Sequence, residues 1–264
     1  MYLKSVFFLL VLSIPLQHPS TDMSQFFDSG IVGGTDALEG YAPHMVALVV
    51  GEHYIILVCG GSIVSKKLIL TAAHCIDIFV IWGSCFFFPG SNSIFFVAFH
   101  IHPKWDWDTM KNDIGFLVVD KPLVYSQSVA PIGINLEVIS EEPHCFVTGW
   151  GRIGVRLVPY PLQILNVSAI LHEVCVAAMQ AVNHTDPIPD VDPVVEICTF
   201  HSYSHGMCLG DSGSALVSRS SNSIIGIVSW GLACAQGLPD VFARPSGFKD
   251  YILKIFALVV VTDE

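Results

Sequence analysis

Short apolar runs rich in Val, Ile and Phe recur along this chain, and Gly and Pro punctuate them. Examples are HMVALVV, HYIILVCGGSIVS, KLILTAAH, FVIWGS, SIFFVAFHI, DIGFLVVD, CFVTGWG and SIIGIVSWG. Runs of this length and composition cross a sheet, and their spacing predicts an all-β body built as an antiparallel sandwich or barrel. Near the end, FKDYILKIFAL places Phe248, Ile252, Ile255 and Phe256 on one helical face. A second helix is expected from LHEVCVAAMQ, residues 171–180. The stretch 121–143, KPLVYSQSVAPIGINLEVISEEP, is the most linker-like and divides the body into halves of similar length.

The 264 residues suffice for a sizeable core in one domain or two. Hydrophobic residues make up 52% and charged ones 13%, a balance that excludes a disordered chain. The net charge of −11 argues against nucleic acid, which calls for a basic face. At the start, Lys4 precedes an apolar run from Ser5 to Pro15, too short to span a bilayer, which reads as a secretory signal within residues 1–20. A cut after Ser13 and one nearer Ser20 both remain open. IFALVVV near the C-terminus is shorter still and is no membrane anchor. The eight cysteines imply disulfides in a secreted chain, and with no C-x-x-C a metal site is not expected. Asn166 and Asn183 open N-x-S/T glycosylation acceptors.

Three further motifs carry chemistry. GDSGSAL, residues 210–216, surrounds Ser212 with glycines, which let main-chain N–H groups approach a substrate. A serine hydroxyl needs a base within hydrogen-bond reach and donors aimed at a developing oxyanion. LTAAHC offers His74 as that base, and NDIGFL offers Asp113 to orient it. With IVGG, GWG and SWG in the same order, the chain resembles the secreted trypsin and chymotrypsin family of serine endopeptidases over about residues 31–256. The pocket pattern is most similar to invertebrate chymotrypsin-like and collagenase-like members.

The resemblance implies two packed antiparallel β-barrels, about 31–140 and 141–264, within a peptidase domain 31–264 and with a C-terminal helix. It implies Ser212 as nucleophile, His74 as general base, Asp113 as orienting acid and an oxyanion hole from the N–H groups of Gly210 and Ser212. It also implies a short propeptide, 21–30, whose removal frees the Ile31 amino group to pair with Asp211. The usual residue before such a cut is basic; here it is Gly30. A protease of other preference, a looser cut with trimming, or a chain that stays uncut are the open alternatives. Implied disulfides are Cys59–Cys75, Cys175–Cys198 and Cys208–Cys234; Cys85 and Cys145 pair with each other or stay free.

Aligned on these motifs, the specificity pocket has Gly206 at its base and Ser229, Trp230 and Gly231 along its side, with Met207 and Leu209 as apolar lining. Asp240 stands on the back wall, where glycine is usual. Large apolar side chains, and some basic ones, are the expected preference. Partners implied are protein and peptide substrates, an activating protease and protease inhibitors, acting on a secreted monomer with no cofactor and no membrane contact. A non-hydrolytic homologue that binds partners through the same cleft is the alternative. The HIHP run, with His100 and His102, reads as strand-end histidines, and FVIWGSCFFFPGSNSIFF is left open between core, substrate-side loop and sticky patch.

Overall fold

The computed structural model describes residues 31–50, 56–82, 85–88, 94–139, 142–151, 161–182, 188–232 and 234–261. The expected signal and propeptide, residues 1–30, and the Asn183 acceptor lie outside the described residues. The strands are β1 (Thr35–Asp36), β2 (Met45–Val50), β3 (Ile56–Ile63), β4 (Leu68–Thr71), β5 (Cys85–Phe88), β6 (Ile94–Ile101) and β7 (Gly115–Val119). There follow β8 (Gly133–Ile134), β9 (His144–Gly149), β10 (Gln163–Ile170), β11 (Glu196–Phe200), β12 (Ala215–Ser218), β13 (Ser223–Gly231) and β14 (Asp240–Ala243). Helix α1 (Ala73–Trp82) follows β4, α2 (His172–Gln180) follows β10, and α3 (Lys249–Val261) follows a 3₁₀ turn at Pro245–Phe248. Among the described residues, no helix is long and apolar enough to cross a membrane.

The fold is the expected pair of antiparallel barrels. Strands β2-β3-β4-β7-β6-β5 close on themselves. The second ring runs β10-β11-β14-β13-β12-β9, and the antiparallel pairing of β9 with β10 closes it; β1 and the parallel β8 are appended to it. FVIWGS was expected as a strand, but Phe79–Trp82 instead continue α1. That helix carries neither Gly nor Pro, and a short apolar run has no period that separates buried helix from strand.

The largest buried cluster spans both barrels, and the second barrel adds a cluster of its own. Val46, Ile69 and Phe116 of the first belong to the same buried cluster as Ala215, Val217 and Ile227 of the second, and Phe248, Ile252 and Ile255 of the C-terminal segment seal it. The HIHP histidines face this segment. The His102 ring meets Phe248 and Tyr251 edge-on at 5.3 and 4.8 Å, and the Tyr251 hydroxyl donates to the His100 carbonyl at 2.8 Å. On β6, Phe95, Val97 and Phe99 are exposed at 51%, 68% and 45%, whereas Phe96, the last residue of the apolar stretch, packs against the core, and the side chains of residues 79–94 lie outside the described ones.

Small residues bring the barrels together where the cleft lies. The Gly60 amide on β3 donates to the Ser212 carbonyl at 2.7 Å. Gly213 has φ +80°, and a Cβ there would stand 2.4 Å from the Gly60 carbonyl oxygen and 2.2 Å from Thr71 Oγ1. Gly213→Ala therefore has to meet both a left-handed backbone and a backbone clash. It is expected to lower stability by at least ~1–3 kcal/mol, read from the urea unfolding midpoint against the parent chain.

Candidate active site

His74 sits in the first turn of α1, directly after β4, and Asp113 precedes β7, the neighbour of β4 in the barrel. Pairing of Thr71 with Gly115 brings the two side chains to one rim. His74 Nδ1 lies 2.7 Å from Asp113 Oδ2, and the His74 backbone N–H donates to Asp113 Oδ1 at 2.9 Å. The Ser229 hydroxyl, from β13 of the second barrel, donates to Asp113 Oδ2 at 2.6 Å. Asp113 is 1% exposed, so its charge is held by these three donors instead of water. An imidazole that donates from Nδ1 keeps Nε2 unprotonated, and here Nε2 lies 3.6 Å from the Cys75 sulfur, a disulfide atom with no proton to give.

Ser212 stands in the turn between Gly210 and Ser214, on the second barrel's side of the seam. The Asp211 amide donates to the Cys208 carbonyl at 3.0 Å, Gly213 to Val228 at 2.8 Å and Ser214 to Asp211 at 3.0 Å. The amides of Gly210 and Ser212 have no protein partner among the described residues. Gly210 has φ +97°, a conformation natural to glycine.

Asp211 is fully buried. Its carboxyl accepts the Gly151 amide at 2.8 Å and the Cys208 amide at 3.0 Å. Desolvation pushes it up to about 7 despite these donors. Ile31 is 0% exposed within the second barrel's own core, and Val32 exchanges two backbone bonds with Gly206, at 3.0 and 3.1 Å.

Gly206, Gly231 and Asp240 converge. The Asp240 carboxylate lies where side chains on the two glycines would stand: 2.9 Å from a Cβ at Gly206 and 3.3 Å from one at Gly231. It accepts the Met207 amide at 3.1 Å. Burial pushes it up to about 7; the Met207 N–H opposes the rise and the Asp211 charge adds to it. Trp230 is partly buried beside this group. Met207 packs into the second core, whereas Leu209 is 77% exposed, so the lining expected of Leu209 is not an enclosed wall.

All three implied disulfides are present: Cys59–Cys75, Cys175–Cys198 and Cys208–Cys234. The Cys145 thiol is free and buried, donates to the Pro143 carbonyl at 3.2 Å and is pushed up to about 11 by burial. The Cys85 side chain lies outside the described residues. Among the described residues, Cys59, His74 and Cys75 cluster closely enough to suggest a metal, but the two sulfurs are bonded to each other and offer no thiolate.

Sequence reasoning passed over several residues here. The indole N–H groups of Trp105 and Trp107 both donate to Asp77 Oδ2, at 2.6 and 3.0 Å. The two rings lie 6.3 and 6.0 Å from the His74 ring. A W-D-W triplet between HIHP and NDIGFL was the available signal. Lys111 and Glu196, joined across the seam at 3.0 Å, carried none, because they are 85 residues apart.

Comparison with known proteins agrees with this geometry. The family profile described as Trypsin matches residues 31–252. Chymotrypsin-2 of Vespa crabro is 35% identical over 232 residues, covering 85% of this chain and 99% of that protein. A barrel pair matched by the Trypsin profile over residues 31–252 and by a relative 35% identical along 85% of the chain makes it a member of the trypsin family: a serine endopeptidase of the invertebrate chymotrypsin-like kind.

Proposed function

We propose that the enzyme hydrolyses peptide bonds through an acyl-enzyme, with Ser212 as nucleophile, His74 as general base and Asp113 as orienting acid. The observation that carries this reading is the Asp113 carboxylate, which takes His74 Nδ1 at 2.7 Å inside a site closed to water. The chemistry is the family's own, and these residues fill its roles. Ser212 Oγ attacks the scissile carbonyl as its proton passes to His74 Nε2; Asp113 stabilises the resulting imidazolium. The Gly210 and Ser212 amides receive the oxyanion. His74 then protonates the leaving amine, and water, activated by the same imidazole, releases the acyl group.

Activation follows from the burial of Asp211. A carboxylate closed away from water is costly until a cation meets it. The amino group freed by cleavage between Gly30 and Ile31 supplies that cation, and the burial of Ile31 and the pairing of Val32 with Gly206 tie its arrival to the pocket. Secretion with removal of residues 1–20, a propeptide at 21–30, glycosylation at the exposed Asn166, an activating protease and protein inhibitors complete the reading. The substrate lies beside Gly231 as an added strand. Gly206 leaves the base of the pocket open for large apolar side chains, and the Asp240 carboxylate on its wall accepts Lys or Arg.

Ser212→Ala is expected to reduce turnover by roughly 10⁴-fold or more while the unfolding midpoint stays near that of the parent. Full activity in that variant would overturn the nucleophile. On a panel with Phe, Leu, Ala, Lys or Arg before the bond, Asp240→Asn is expected to lose about 10- to 100-fold on Arg and Lys relative to Leu. Because Asp240 ionises near pH 7, preference for Arg over Leu should rise as pH passes through about 7, and the variant should not show this rise. In uncut Ser212→Ala protein, Asp211 is still protonated where the unfolded chain is already ionised. Its contribution is thus fully present below the usual carboxylate pKa and is lost as pH climbs to about 7, a change of about 4 kcal/mol. Urea midpoints measured across pH, before and after cutting at Ile31, should show this loss only in the uncut chain.

A further inference from the structure

Lys111 stands on the first barrel, in the segment that leads into Asp113. Its ammonium reaches Glu196 on β11 of the second barrel, 3.1 Å from Oε1 and 3.0 Å from Oε2. The same Oε1 accepts the Trp230 indole N–H at 2.9 Å, and Oε2 accepts the Asp192 amide at 2.7 Å. Lys111 Nζ also lies over the Trp230 ring, 5.5 Å from its centroid. Glu196 is 3% exposed, so its charge is balanced by this one lysine and by two N–H donors.

The backbone around Lys111 is unusual. Met110 and Asn112, on either side of it, have φ +55° and +60°. A long side chain such as methionine rarely adopts that region, and the conformation persists only where its surroundings enforce it. The Asn112 side chain donates to the Lys104 carbonyl at 2.8 Å, and the Asp106 amide donates to the Lys111 carbonyl at 3.2 Å. The segment is thereby tied to β13 twice: Asp113 holds Ser229, and Lys111 acts through Glu196 on the next residue, Trp230.

We propose that Lys111 and Glu196 are positioning residues that fix the Trp230 indole as a rigid wall for the part of a peptide substrate preceding the scissile bond. This rests on the reading above, in which the substrate runs as a strand beside Gly231. The carboxylate fixes the indole edge, the ammonium lies over the ring, and the ring packs partly buried against the Cys175–Cys198 cluster, leaving its exposed part for the substrate. A wall ordered before binding adds affinity because it need not be ordered during binding. A substrate with several residues before the bond uses that wall; one with a single residue does not extend along it.

The test compares Lys111→Met with the parent enzyme, both with a free Ile31 amino group. The substrates are a four-residue peptide amide and a single-residue ester sharing the residue before the bond. KM for the long substrate is expected to rise about tenfold with kcat within about twofold, and kcat/KM for the short one to change less than about twofold. Lys111→Arg should restore the long-substrate KM, since a guanidinium pairs with a carboxylate and stacks on an indole. Should Lys111→Met fail to fold, the double variant Lys111→Met with Glu196→Gln removes both charges and carries the same expectation. Unchanged KM for the long substrate in a folded variant overturns the proposal. So does an equal loss on both substrates, which would make Lys111 a support of the fold alone. A parent enzyme that turns over neither substrate overturns the underlying reading and this one with it.

Discussion

The structure turns on one carboxylate. Asp113 comes from the first barrel, yet one of its oxygens is shared between His74 at 2.7 Å and Ser229 of the second barrel at 2.6 Å. The bond that orients the imidazole is thus coupled to the bond that registers the barrels. At 1% exposure, the charge on Asp113 would be intolerable without its donors, so the same requirement that keeps it solvated by protein also keeps the seam closed. The Gly60 contact with Ser212 and the tight approach at Gly213 complete that seam from the other side.

Much of this was legible in the residues. Alternating Val, Ile and Phe runs separated by turns encode strands locally, and GDSGSAL, LTAAHC and IVGG encode tight geometry in few residues. The disulfides were legible through family resemblance, and the structure joins the same three pairs. What escaped was long-range or aperiodic. Phe79–Trp82 turned helical because an apolar run of that length has no decisive period. The Lys111–Glu196 contact depends on how two barrels meet, which no local pattern records. Trp105 and Trp107 converge on Asp77 only once α1 has formed beside them. Leu209, adjacent in sequence to the pocket residues, points to solvent at 77% exposure, since neighbours along an irregular loop need not face the same way.

Two acids of the second barrel, Asp211 and Asp240, are pushed up to about 7 by burial. Consecutive amides serve them: Met207 donates to Asp240 and Cys208 to Asp211, while Gly206 pairs with Val32. Three adjacent residues therefore join the Ile31–Val32 segment, the acid beside Ser212 and the Asp240 carboxylate. The Asp211 charge also raises the cost of ionising Asp240, since like charges in a poorly hydrated region repel.

The shared core has a consequence for how the molecule fails. Side chains of both barrels interdigitate in one buried cluster that the C-terminal helix seals, while the second barrel keeps a further cluster of its own around Ile31, Val147 and Phe242, so opening the first barrel strips packing from the second. Melting of one half exposes the hydrophobic surface of the other, and the molecule should come apart as one cooperative unit instead of passing through a half-folded state.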